Sequence, residues 1–354
     1  MNTRNKYIAP LMLLVVGLFC STGPASYSPR QTPDKRGNIR IMFYNVENLF
    51  DTKNDSLTDD DEFLPESDKK WNGYRYREKI MHLFKIIAAV GEAQPPEIVC
   101  FAEIENKHVL DELIKNTPLE KYRYEIVHYD SPDSRGIDVG LIFRPDRIIQ
   151  IASQSIRISF SDHPERKTRD ILYFKALTKN SDTLHIFVNH WPSRRGGQYA
   201  SNPFRLQVAQ RLKSKTDSLL SLNPNANIII TGDFNDEPQD ESLAAGLNAK
   251  SNTDSILCAS LYNLSAMLYE TCHCGTYRYR AQWNMLDQFI VSGNLLIDKK
   301  QLYTCADYLH IARFDFLLEE DQKYGGTRPY RTYQGPVYRG GFSDHLPVYL
   351  DLFE

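Results

Sequence analysis

A series of short apolar segments with strand character restricts the fold of this chain more than any other feature. They alternate with helical segments, and no Pro/Ser-rich linker divides them. Strands are predicted at 39–44, 98–103, 184–189, 228–230, 288–291 and 348–352, and near Tyr124, Asp138 and Leu172. Amphipathic helices are predicted at 76–91, about 109–116 and about 203–222. Strands outnumber helices and several follow one another. We therefore expect one α/β domain over residues 38–354, with sheets inside and helices outside.

The N-terminal segment has the pattern of an export signal. Arg4 and Lys6 precede an apolar run over 8–20, and small residues follow up to Ala25. We therefore predict a signal over residues 1–25, a flexible leader over 26–37, and a periplasmic or extracellular location. Alternatively, Cys20 is lipidated and anchors the protein to a membrane. No later segment is apolar over the length that a membrane helix needs, so no transmembrane segment is expected.

The cysteines beyond Cys20 do not define a complete set of disulfides. They are five in number, so at least one has no partner within the chain. Cys100 lies in an apolar run and is expected to be a buried small side chain. Cys272 and Cys274 flank His273, which is also compatible with structural zinc. We favour a disulfide from Cys258 or Cys305 to this pair, because a second ligand pair at zinc-finger spacing is absent.

The overall charge argues against a protein that binds nucleic acid or anionic lipid through net positive charge alone. The chain of 354 residues has 42 basic and 45 acidic residues, so its formal net charge is −3. Net charge alone would therefore not attract nucleic acid or anionic lipid. A divalent cation bound by clustered acids would reverse the field locally, so a polyanionic substrate stays compatible with this composition.

Polar residues gather where the apolar strands end. Carboxylates, amides and imidazoles occupy these exits: Asn45, Glu47, Glu103, His190, Asp233, Asn235, Asp287, Asp344 and His345. Each one alone has an ordinary explanation as a turn former, a cap or a surface residue. If they converge at one end of the sheets, as ligand sites of α/β folds commonly do, the acids would repel one another without a cation. The pattern therefore predicts a metal site.

Six short motifs in this order carry a family resemblance. They are NVENLFD at 45–51, Glu103 after Phe101 and Ala102, NHW at 189–191, GDFN at 232–235, LDQFI at 286–290 and SDHLP at 343–347. The chain resembles the endonuclease/exonuclease/phosphatase superfamily, and specifically an exported bacterial member similar to deoxyribonuclease I. The resemblance covers about 38–354. It implies a four-layer α/β sandwich with two central mixed β-sheets flanked by helices.

The resemblance also implies roles for individual residues. The expected metal ligands for Mg²⁺, Mn²⁺ or Ca²⁺ are Asn45, Glu103 and Asp344. The expected catalytic residues are His190, Asp233, Asn235, Asp287, His345 and Asp138. In this scheme Asp287 orients His345, Asp233 and Asn235 position water and a phosphate oxygen, and Asp138 is the nearest candidate for a carboxylate partner of His190.

The implied activity is metal-dependent hydrolysis of phosphodiester bonds. We expect a non-specific exported endonuclease with DNA or RNA as substrate and no obligate protein partner. Arg194, Arg195 and Arg339 are expected to contact phosphates. A phosphatase or a phospholipid phosphodiesterase of the same superfamily is the alternative. A further alternative is a binding module without catalytic activity. Loss of catalytic residues would indicate such a module, but all of these are present: Glu103, Asp233, Asp287 and His345.

Overall fold

The computed structural model describes residues 36–297 and 302–354. The predicted export signal, most of the leader and Cys20 with its expected lipid anchor lie outside these residues. Within them, none of the helices combines the length and apolar character required to cross a membrane.

The described residues contain four α-helices and nineteen strands. The helices are α1 Gly73–Gly91, α2 Lys107–Lys115, α3 Gln198–Leu222 and α4 Leu264–Cys272. The strands are β1 Ile39–Leu49, β2 Ile98–Ile104, β3 Glu125–His128, β4 Asp138–Phe143, β5 Ile148–Ile156, β6 Ile171–Thr178, β7 Thr183–His190, β8 Asn227–Asp233, β9 Ala249–Lys250, β10 Leu261–Asn263, β11 Tyr277–Tyr279, β12 Gln282–Asn284, β13 Asp287–Ser292, β14 Leu309–Ile311, β15 Leu318–Glu320, β16 Thr327–Pro329, β17 Tyr333–Gln334, β18 Val337–Tyr338 and β19 Val348–Leu352.

Two large mixed sheets form the centre of the molecule. The first has six strands in the order β14-β19-β1-β2-β4-β3, and the second has seven in the order β5-β6-β7-β8-β13-β10-β9. In the first sheet β1 and β2 run parallel, whereas β19 and β4 are antiparallel to their neighbours. In the second sheet β7 and β8 run parallel and β13 is antiparallel to β8.

The alternation of side chains along β1 builds two cores. Ile41 and Phe43 point into the core between the sheets, together with Phe174, Ile186 and Phe289 of the second sheet. The intervening residues face the other way, because successive strand residues point to opposite sides of a sheet. They pack on α1 and α2. A third core lies between the second sheet and α3. The order helix, sheet, sheet, helix confirms the predicted four-layer sandwich.

The strand directions place the polar residues at the strand ends on one side of the sandwich. The parallel strands β1, β2, β7 and β8 finish there, while the antiparallel strands β13 and β19 begin there. The polar residues at the ends of β1, β2, β7 and β8 and just before or at the starts of β13 and β19 therefore emerge at the same edge of the sandwich.

The secondary structure agrees with the sequence in its main elements and differs in detail. Strand β1 continues to Leu49, five residues beyond the predicted end, because it pairs with β2 beyond Asn45 through an irregular register. Helix α4 and the small hairpins were not predicted. Cys100 is buried as expected. The predicted disulfide is wrong, since Cys272 pairs with Cys274 rather than with Cys258 or Cys305.

Candidate active site

The strand register brings three of the predicted residues side by side. In the second sheet His190 is paired with Asp233 across β7 and β8, and Asp233 is paired with Asp287 across β8 and β13. Residues paired across neighbouring strands have side chains within reach of one another. All three are buried. The row therefore joins one imidazole to two carboxylates in a setting where their charges interact strongly.

A hydrogen-bonded pair links the two sheets. Nδ1 of His345, which precedes β19, lies 2.7 Å from Oδ2 of Asp287 at the start of β13. The backbone N–H of Asp287 donates to the Thr276 hydroxyl, and the N–H of His345 donates to the Ser343 hydroxyl, so both ends of the pair are held. Burial on its own lowers the pKa of His345, but Asp287 and Asp233 outweigh it and raise this pKa well above its usual value.

Asp233 is the centre of the site. It accepts hydrogen bonds from the Asn45 side chain at 3.0 Å and from the backbone N–H of Asn235 at 2.9 Å. Its Oδ2 atom lies 3.6 Å from Nε2 of His190 and 3.8 Å from Nε2 of His345. Burial raises the pKa of Asp233 to about 7, with the positive charge of His345 opposing the shift.

His190 does not have the carboxylate partner that the sequence suggested. Asp138 lies 3.0 Å from Nε2 of His128 and accepts from the Ser131 N–H, because β4 pairs with β3 and carries the start of β4 toward His128. Nδ1 of His190 is buried and has no hydrogen-bond partner among the described residues. Burial and the nearby cations Arg169 and Arg135 lower the pKa of His190 well below its usual value. The prediction for Asp138 as its partner is therefore corrected.

Glu103 owes its position to an irregular backbone. It falls at the register shift between Ala102 and Ile104, with a left-handed φ of 64°. Such bulges redirect a side chain at a strand end, and strained backbone of this kind clusters at functional sites. The carboxylate accepts from the Asn48 N–H at 3.1 Å and lies 3.8 Å from Nε2 of His190. The side chain of Glu103 is 15% exposed, so this edge of the site opens to solvent.

Asp344 lies at the same end beside a basic residue. Nη2 of Arg331 contacts Asp344 at 2.9 Å and Glu47 at 3.0 Å. Burial raises the pKa of Glu47 to about 7, helped by Asp344 and opposed by Arg331. Glu47 also accepts from the backbone N–H of Thr332. The loop before β19 is thereby tied to the end of β1.

The donor set at this edge suits a hard divalent cation. Asn45, Glu103 and Asp344 offer amide and carboxylate oxygens, which Mg²⁺, Mn²⁺ and Ca²⁺ prefer. Asp233, Asp287 and His345 form a second group, whose ligand atoms all lie within 4.8 Å of one another. Oδ1 of the buried Asp287 has no hydrogen-bond partner among the described residues. A cation would offset the mutual repulsion of these acids.

The three arginines predicted to bind substrate lie in different surroundings. Arg194 contacts Asp240 at 2.7 Å and donates to the Asn235 carbonyl, so it braces the loop after β8. Arg339 contacts Glu319 at 3.1 Å. Both guanidinium groups are engaged by protein carboxylates. Arg195 is exposed and lines a cavity beside the site.

This cavity has a volume of about 570 Å³, and we call it the basic cavity. Three acidic side chains line it, and the cationic ones are Lys69, Arg135, Arg166, Lys167, Arg169 and Arg195. Lys69 is paired with Glu62, and Arg135 and Arg169 are paired with Asp133, so Arg166, Lys167 and Arg195 carry the excess positive charge. Arg169 connects it to the catalytic end, since Nη2 donates to the carbonyl of Trp191, the residue after His190. The Nε atom of Arg169 and the hydroxyl of Thr168 are buried and have no hydrogen-bond partner among the described residues.

Two residues of the site were missed by the sequence analysis. Arg169 precedes a strand and has no local motif that marks it. Lys79 is a buried lysine on α1 whose ammonium donates to the Thr332 hydroxyl at 2.6 Å and to the Phe342 carbonyl. Its position between Tyr76 and Leu83 on the apolar face of a helix could have predicted a buried lysine with hydrogen-bond partners, because a buried ammonium group needs them.

Comparison with known families gives one match. Residues 40–354 match a family model described as the endonuclease/exonuclease/phosphatase family. At the level of sequence, no curated protein matches the chain.

Solved structures show where the same fold occurs. The human Nocturnin catalytic domain with bound sulfate is 18% identical, with a TM-score of 0.52, covering 89% of this chain and 93% of that one. The D. rerio TDP2 with single-strand DNA product is 15% identical, with a TM-score of 0.52, covering 89% and 99%. The Bacteroides thetaiotaomicron mannosyl-6-phosphatase is 15% identical, with a TM-score of 0.53, covering 89% and 100%. At these identities the similarity shows a shared fold.

Proposed function

Since the chain belongs to the endonuclease/exonuclease/phosphatase family of phosphoester hydrolases, we propose that it cleaves phosphodiester bonds in nucleic acid with the help of a divalent metal ion. The observation that carries this proposal is the basic cavity next to His190. A phosphodiester is anionic, and a substrate with several phosphates gains from several arginines in one concave surface. The TDP2 structure contains a single-strand DNA product, which supports nucleic acid as the substrate class.

Asn45, Glu103 and Asp344 would hold the metal ion. Such an ion supplies positive charge that offsets the negative charge developing on the phosphate oxygens in the transition state. The remaining chemistry belongs to the protein. We assign to Asp233 and Asn235, which are joined by a hydrogen bond, the role of orienting water and a phosphate oxygen. His190 and His345 share the proton transfers, one imidazole taking a proton from water and the other giving one to the leaving oxygen.

Asp287 supports this chemistry without contacting the substrate. Its carboxylate behind the imidazole of His345 fixes which nitrogen carries the proton and stabilises the charged form. The Nε2 atom of His345 is left facing Asp233, on the side where a phosphate group would lie.

Export stays part of this proposal. We propose that residues 1–25 direct the protein to the periplasm or the exterior, with lipidation of Cys20 as the alternative. A signal-sequence deletion expressed beside the full chain, followed by fractionation, tests export. Labelling with a fatty acid analogue, with Cys20→Ala as the control, tests lipidation.

The activity test compares substrates and metals in one design. The purified protein is incubated with Mg²⁺, Mn²⁺ or Ca²⁺ and with DNA, RNA, a phosphomonoester or sphingomyelin. We expect metal-dependent hydrolysis of nucleic acid, reduced about a hundredfold or more by His345→Ala. Lys213→Gln on the exposed face of α3 is the matched control. Turnover of the monoester or the lipid alone would indicate a phosphatase or a phospholipid phosphodiesterase. Absence of turnover on all four would indicate a binding module.

A further inference from the structure

A second cavity lies beside the basic one and has the opposite charge. Its volume is about 780 Å³, and we call it the acidic cavity. Four carboxylates line it: Glu47, Asp61, Glu62 and Asp68. Three of these come from the loop between β1 and α1. The loop is fixed in place rather than solvated throughout, since Phe63 is stacked on Phe50 at 4.3 Å and Trp71 donates to the Phe50 carbonyl.

The two cations of the acidic cavity are already neutralised. Lys69 contacts Glu62 at 2.6 Å and lies over the ring of Phe63. Arg331 is shared between Glu47 and Asp344. Neither is left to receive a phosphate, whereas Asp61 and Asp68 contribute further negative charge. A phosphate group in this cavity would therefore be repelled.

The two cavities share part of their lining and lie next to the candidate active site. Asn48, Glu62, Phe63 and Lys69 line both of them. Asn48 also donates to Glu103, while Glu47 and Arg331 connect the acidic cavity to Asp344. A substrate at Glu103 and Asp344 thus has a surface with excess positive charge on one side and a surface with excess negative charge on the other.

This asymmetry does not fit the interior of a nucleic acid strand. A phosphodiester inside a strand has further phosphates on both sides, because each nucleotide carries one. A phosphodiester next to a strand end has phosphates on one side and a terminal nucleoside on the other. Volumes of about 300–1,000 Å³ are usual for sites of small ligands. The carboxylates that line the acidic cavity suit the hydroxyl groups of a sugar.

We propose that the acidic cavity receives a terminal nucleoside that bears no phosphate, so that the protein hydrolyses the last phosphodiester of a strand rather than internal ones. This inference rests on the proposed function and narrows it from endonuclease to end-directed nuclease. In the reaction the oxygen of water forms a new bond to phosphorus, the bond from phosphorus to the ester oxygen breaks, and a proton passes from the water to that leaving oxygen.

Circular and linear substrates distinguish cleavage at a strand end from cleavage at internal phosphodiesters. A circular single-stranded oligonucleotide and the same sequence in linear form, with hydroxyl groups at both ends, are incubated with the wild-type protein and Mg²⁺ or Mn²⁺. We expect the linear strand to be shortened from an end at least about tenfold faster than the circle is opened. Equal rates, or internal fragments as the first products, would overturn the inference while leaving nuclease activity intact. If neither substrate reacts, the proposed function itself fails.

The ends of the linear strand test the charge argument directly. Strands with a phosphate on the 5′ end or on the 3′ end are compared with the hydroxyl form. One of the two phosphates should slow hydrolysis at its end by about tenfold or more. The double variant Asp61→Asn, Asp68→Asn should reduce this discrimination at least threefold, and Asp217→Asn on exposed α3 should not. No discrimination in the wild type, or none lost in the double variant, would overturn the proposal.

Discussion

Nδ1 of His345 and Oδ2 of Asp287 lie 2.7 Å apart in the buried junction between the two sheets. The carboxylate raises the pKa of the imidazole and fixes its orientation. Asp287→Asn keeps the shape of the side chain but removes its charge. We expect kcat for nucleic acid hydrolysis to fall by a factor of about 10² to 10⁴. The pKa of His345, followed by NMR titration of its ring protons, should fall as well.

A purely structural role for Asp287 would give a different result. The variant would then lose stability with no separate change in the titration of His345. Thermal unfolding of the same samples distinguishes the two cases. An unaltered kcat in a folded variant would remove the pair from the mechanism.

Lys79 is predicted to hold the loop that carries Asp344. Its buried ammonium bonds to Thr332 and to the carbonyl of Phe342, two residues before Asp344. Lys79→Met removes the ammonium donor from both oxygens and leaves the Phe342 carbonyl only its 3.2 Å hydrogen bond from the Thr332 hydroxyl. We expect this loss to cost about 1–3 kcal/mol of folding free energy. We expect kcat to fall by a larger factor than the affinity for DNA measured without metal, because a shift of this loop would displace Asp344, the proposed metal ligand. Arg77→Met, exposed on the same helix, is the control and should match the wild type in urea unfolding and in kcat.

The sequence was informative wherever the signal is local. Apolar runs predicted the main strands, and the polar residues next to these runs predicted most of the candidate site. The direction and register of the strands then bring these residues together at one end of the sheets. Asp138 was misplaced, since its partner depends on the pairing of β3 with β4 rather than on its neighbours in sequence. Arg169 was missed for a similar reason, because its significance depends on its contact with the Trp191 carbonyl, which a propensity does not encode. The Cys272–Cys274 disulfide is local, and it was missed because only Cys258 and Cys305 were considered as partners for this pair.

Gly232 is predicted to be required for the close pairing of β7 with β8. A Cβ atom at this position would lie 2.3 Å from the Asn189 carbonyl oxygen, which is backbone and cannot move aside. We expect Gly232→Ala to lower the free energy of unfolding by about 2 kcal/mol or more. It should also reduce kcat, because Asp233 is the next residue. Gly73→Ala at the start of α1 meets only the flexible end of Arg77 and serves as the control. Equal unfolding midpoints for the two variants would contradict this explanation.

His185 is predicted to make the protein less stable in mild acid. It lies on β7 away from the candidate site, with Nδ1 2.8 Å from the Tyr173 hydroxyl. Burial, with a contribution from Lys175, lowers its pKa from 6.5 to about 4. Between these pH values the unfolded chain binds a proton that the folded chain does not. Stability is therefore complete above about pH 6.5 and falls as the pH drops toward 4.

Substitution of His185 separates its contribution to the pH dependence of stability from the contributions of the other histidines. His185→Gln has no titrating group at this position, so between pH 7 and pH 4 it should lose less stability than the wild type, by about 3 kcal/mol. Urea unfolding at pH 7, 6, 5 and 4 measures the difference. His163→Gln, which replaces an exposed histidine outside the candidate site, provides the control. Parallel curves for the wild type and His185→Gln would show that His185 is protonated as readily in the folded as in the unfolded chain.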